Sequence, residues 1–148
     1  MNANSDYDEL CRLMGLMVVQ AGYLECAIGE LAADLTGEDR EGPVLANPAS
    51  RNIAICKAEA IRQEIPERSR AICMTLDACT PAFERRHQYV HGLWVWTVGG
   101  TLPPPKHTWR VRRNGDVLEK LITPEDLRDL GETMSRLCDD VYEWMGEN

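Results

Sequence analysis

Residues 83–96 read FERRHQYVHGLWVW, and the chain changes its period inside them. Up to this point apolar residues fall mostly three and four apart, through Ile72, Leu76, Cys79 and Phe83 and on to Val90. That spacing lines one face of a helix. From Leu93 the run LWVWTV alternates instead, as a strand does. Gly92 stands between the two and is well placed to finish the helix. A helical body therefore meets a β excursion here, and Arg85, Arg86, His87 and His91 crowd the join.

Upstream, residues 6–36 carry Leu10, Met14, Met17, Ala21, Leu24, Ile28, Leu31 and Leu35 in alternating steps of four and three. A long helix with a narrow apolar seam follows, suited to packing lengthwise on another helix. Ser5 is expected to begin it and Gly37 to end it. GEDREGPVLANP is then a loop by its Gly, Pro and Asn content. Asn47-Pro48 reads as an N-cap with proline at the first helical position, opening a second helix to about Glu64. Pro66 stops or kinks that helix. Thr80-Pro81 interrupts the third helical pattern, which is therefore one kinked helix or two abutting ones.

Downstream, TWRVRRNGDVLEKLI reads as two short strands joined at Asn114-Gly115, a strong hairpin signal. GGTLPPPK before it is a loop with polyproline character. Thr123-Pro124-Glu125-Asp126 then starts a helix, joining a capping hydroxyl to proline and first-turn acids. Leu127, Leu130, Met134, Leu137, Val141 and Trp144 continue it to the C-terminus. The expectation is a mainly α fold forming one domain over residues 1–148. Its helical core covers about 5–92 and 123–146, and a small antiparallel β insert covers about 93–122.

A net charge of −8 argues against coating nucleic acid by bulk electrostatics, so contact with an anionic polymer needs a local basic patch. The six cysteines form no C-x-x-C pair and mostly occupy apolar positions of helical patterns. They read as small core residues in a reducing compartment. The N-terminal MNANSDYDEL lacks the basic and apolar regions of a signal peptide. Leu13–Leu24, interrupted by Gly15, Gln20 and Gly22, is too short to span a bilayer. These features predict a cytoplasmic chain without a membrane partner.

Two chemistries are set aside. His87 and His91 lie four apart, with Glu84 a turn earlier, but a mononuclear metal site needs further ligands, and only His107 and scattered carboxylates remain. No metal and no other cofactor is expected. A thiol nucleophile paired with His91 lacks any cysteine marked by electropositive surroundings.

Arg86, four intervening residues and His91, or Arg85, five residues and His91, with the polar His87 directly after Arg86, resembles the arginine–histidine signature of the HEPN superfamily. The layout resembles it too. In that family the motif ends a late helix of a bundle, and many members continue through His-Gly-aliphatic-Trp into a short β excursion and a final helix, as VHGLWVW does here. The residue two after His91 is Leu93, where the nucleotidyltransferase-paired branch has tyrosine, so the likeness is to the superfamily and not to that branch.

The resemblance implies a metal-independent endoribonuclease acting as a homodimer, in a toxin–antitoxin, antiphage or stress-response setting, with RNA as substrate and an antitoxin or other protein as a further partner. It assigns catalysis to Arg86 and His91, with Arg85, His87 and Tyr89 in support. Products would carry a 2′,3′-cyclic phosphate and a 5′-hydroxyl. The chemistry suits the residues: imidazole exchanges protons near neutral pH, and guanidinium stays charged and matches phosphate oxygens. Positions five apart on a helix are about 140° apart in rotation, so the two side chains do not share a face. In the family, two copies of the motif meet across a twofold axis and line one cleft.

The competing reading is a catalytically inactive HEPN-like dimer that binds a partner. In it His91 caps helix carbonyls, and Arg85 and Arg86 pair with Glu84 or with the acidic last helix. Lys106, Arg110, Arg112 and Arg113 form the one local basic concentration and are candidate RNA-phosphate contacts, or else a charged edge strand guarded against aggregation.

Overall fold

The computed structural model of the chain describes residues 3–63, 65–91, 93–95, 106–110 and 117–146, with backbone alone for 3–7 and for the strands. The fold is mainly helical, built on α1 Ala3–Thr36, α2 Ala49–Ala60, α3 Pro66–His91 and α4 Pro124–Met145. The seam of α1 is buried at Leu10, Met17, Ala21, Leu24, Ile28 and Leu31 and partly buried at Met14 and Leu35. α4 meets it with Leu127, Leu130, Met134, Leu137 and Val141, all buried. Each large side chain removed from water in this way contributes on the order of 1.5–3 kcal/mol.

The two helices run parallel. Near their starts Arg128 Nη2 lies 3.5 Å from Glu9 Oε1. Close behind, Gly131 faces Met17, where an added Cβ would stand 3.7 Å from the Met17 Cα, in ordinary contact. α3 crosses α4 in the opposite sense, with Arg85 facing Asp129 at one end and Arg68 clasping Trp144 at the other. Trp144 Nε1 donates to the Arg68 carbonyl at 2.9 Å, Arg68 Nη2 donates to the Trp144 carbonyl at 2.7 Å, and the guanidinium lies 4.5 Å from the ring centroid. Lys57 of α2 and Asp77 of α3 form an exposed ion pair between those helices.

The helix ends follow their sequence signals with some corrections. Gly37, at φ 72°, closes α1, and Glu38 N donates to the Ala33 carbonyl across the turn. Thr123 caps α4 reciprocally: its hydroxyl accepts from Asp126 N at 3.2 Å, and Asp126 Oδ2 accepts from Thr123 N at 2.9 Å.

Asn47, however, does not cap α2. It ends a 3₁₀ turn, Pro43–Ala46, inside the expected loop, and its Nδ2 donates to Asn52 Oδ1 at 3.1 Å. α2 stops at Ala60, short of Glu64, where the Ser69 hydroxyl donates to the Ala60 carbonyl at 2.6 Å. Pro66 opens α3, in a place where its missing N–H removes no helical hydrogen bond. The interrupted third pattern is one helix carrying Pro81 inside it.

Three backbone segments, β1 Leu93–Val95, β2 Lys106–Arg110 and β3 Val117–Leu121, pair antiparallel in that order, with Leu93 opposite Thr108 and Lys106 opposite Leu121. Gly92, the proline run and the expected turn at Asn114-Gly115 lie outside the described residues. Asp8–Thr36 is long and apolar enough to cross a membrane by length and composition, a longer span than Leu13–Leu24; half of its apolar window is buried in the bundle.

Candidate functional site

The last turns of α3 sort the motif residues by face. Cys79, Ala82 and Tyr89 are buried, and Arg86 continues their line at helical spacing. Arg86 is half-buried, and its Nε is buried without a hydrogen-bond partner. A buried donor without an acceptor costs about 1–3 kcal/mol. His87 and His91 point outward, both exposed, with ring centroids 4.5 Å apart and planes tilted by 44°. Within one chain, therefore, Arg86 and His91 lie on different faces of α3, as the rotation per residue requires.

Arg85 is held on the α4 side. Its Nη2 donates to the Tyr89 hydroxyl at 3.4 Å, its guanidinium lies 5.8 Å from that ring's centroid, and Nη1 is 3.7 Å from Asp129 Oδ2. Burial lowers its pKa, but the Tyr89 hydrogen bond and the fields of Tyr89, Asp129 and Asp126 together raise it above the ordinary arginine value. Tyr89, 1% exposed, is a core residue that reaches the motif through Arg85.

Of the four basic residues expected to contact RNA, Lys106 and Arg110 stand at the two ends of β2. Arg112 and Arg113 lie outside the described residues. Among the described residues no three His, Cys, Asp or Glu side chains gather as a metal site. All six cysteines are free. Burial pushes the Cys56 and Cys79 thiols up to about 12, which leaves little thiolate at neutral pH.

A feature that periodicity does not reveal is an open groove of about 360 Å³ between α2 and α3. Ser50 and Ile53 line it from α2, and Thr80, Phe83, Glu84, His87 and Gln88 from α3. The partial signal for it was the four-residue spacing of Phe83 and His87, which sets two rings on one helix face. Its other wall depends on how α2 docks. No protein-family model, curated protein or solved structure matches this chain.

Proposed function

We propose that the chain is a HEPN-like, metal-independent endoribonuclease that works as a cytoplasmic homodimer. The supporting observation is Arg86, whose buried Nε has no acceptor among the described residues although exposed His91 follows on the same helix end. Arg86 is only half-buried, so its charge can act on an anion at the helix end although Nε itself lies out of solvent's reach, and an RNA phosphate is such an anion.

In this reading the imidazole of one His91 takes the proton from a ribose 2′-hydroxyl. The 2′-oxygen bonds to phosphorus, the bond from phosphorus to the 5′-oxygen breaks, and that oxygen leaves with a proton from solvent, so one imidazole is enough. Arg86 offsets the charge on the pentacoordinate phosphorus. The twofold assembly supplies what one chain does not, because Arg86 of one protomer meets His91 of its partner. Residues 93–122 form the antiparallel insert, turning at Asn114-Gly115, and its Lys106, Arg110, Arg112 and Arg113 hold flanking phosphates.

The test is incubation of purified protein with RNA in EDTA. Cutting is expected in the wild type, with a loss of about 10²–10⁴-fold in Arg86→Ala and in His91→Ala. Equal cutting in wild type and variants overturns the assignment, and no cutting by the wild type favours an inactive binding protein.

A further inference from the structure

The groove between α2 and α3 lies beside the proposed chemistry and shares His87 with it. Its floor is apolar, made by buried Ile53 and half-buried Phe83. Its rim is polar, made by Ser50, Thr80, Glu84 and Gln88. His87 closes it, and the tilted contact of His87 with His91 connects it to the motif. Phe83 and His87, one helical turn apart on one face, present two rings against which a flat ring can lie. Among the described residues neither lysine nor arginine lines the groove, and the Glu84 carboxylate repels phosphate. A planar, uncharged, hydrogen-bonding ring satisfies all of these features together.

We infer that the groove is a nucleobase subsite with a preference for guanine, an inference that takes its biological meaning from the ribonuclease reading. A carboxylate only accepts hydrogen bonds. Guanine presents adjacent N1–H and N2–H donors that match both Glu84 oxygens, as paired donors do in other bidentate contacts. Uracil sets two carbonyl oxygens around its single N3–H, and these repel the carboxylate. The Gln88 amide, one turn from Glu84 on the same helix face, is placed to donate to the guanine O6. A nucleotide seated here directs its ribose and phosphate towards His91, so the groove selects the base next to which the chain is cut.

Titration calorimetry of the whole protein with guanosine 3′-monophosphate, uridine 3′-monophosphate and ribose 5-phosphate tests this without any cleavage. The guanosine nucleotide is expected to bind roughly tenfold or more tighter than the uridine nucleotide, with ribose 5-phosphate weakest. Glu84→Gln should bring the two nucleotides close to parity, and Ser50→Trp, at an exposed position that fills the groove, should weaken both. Equal binding of all three probes, or a guanosine preference that survives in both variants, overturns the subsite. The result is independent of the cleavage assay: an inactive protein can show the preference, and an active nuclease can lack it.

Discussion

Arg86 carries a buried donor with no acceptor among the described residues, while its neighbour Arg85 holds Tyr89 and Asp129. The two arginines are adjacent in sequence and opposite in energetic standing, which yields a comparison that an activity assay alone does not give. Arg86→Met removes the unsatisfied group and keeps an unbranched stem, so stability should stay level or rise by about 1 kcal/mol. Arg85→Met breaks its hydrogen bond and ion pair and should cost about 0.5–1.5 kcal/mol. Urea unfolding measures both, and a larger loss for Arg86→Met than for Arg85→Met would show that Arg86 is structural. The sequence identified both arginines but not their difference. Which one turns inward depends on the buried line of Cys79, Ala82 and Tyr89, and which one finds a carboxylate depends on where Asp129 of α4 arrives. His91 was legible as a helix-end residue because a glycine follows it in the sequence.

At the scale of elements, α1 and α4 were readable because their three-and-four spacing is unbroken and each buries a single seam. The cap at Thr123 was readable because it needs only a hydroxyl, a proline and an acid in the right order. Thr123→Ala should therefore cost about 1 kcal/mol, seen as a lower urea midpoint with an unchanged slope, and an unaltered midpoint would mean that the cap carries no weight. Asn47-Pro48 misled because the same two residues serve another end. Asn47 closes the 3₁₀ turn and hands its side chain to Asn52, whose Nδ2 donates to the Val44 carbonyl at 3.0 Å. That network includes a side chain only 2% exposed, and nothing in the local sequence signals it. Pro81 was seen as an interruption, yet α3 runs through it, since packing on α2 and α4 outweighs one missing helical hydrogen bond.

For the molecule as a whole, the bundle fixes α3 between α2 and α4 and leaves the His87–His91 edge exposed. The helical body was legible, and the groove between α2 and α3 was not, because a groove arises from docking and docking leaves no period in the sequence. The separation of Arg86 and His91 onto different faces makes the proposed nuclease depend on two chains. Mixing Arg86→Ala protein with His91→Ala protein, under conditions that exchange subunits, tests that dependence most directly. The shared cleft of each mixed dimer then keeps one intact arginine, from one protomer, and one intact histidine, from its partner. The account predicts that neither variant cuts RNA alone and that the mixture does; a mixture as inactive as its parts, beside an active wild type, would contradict it.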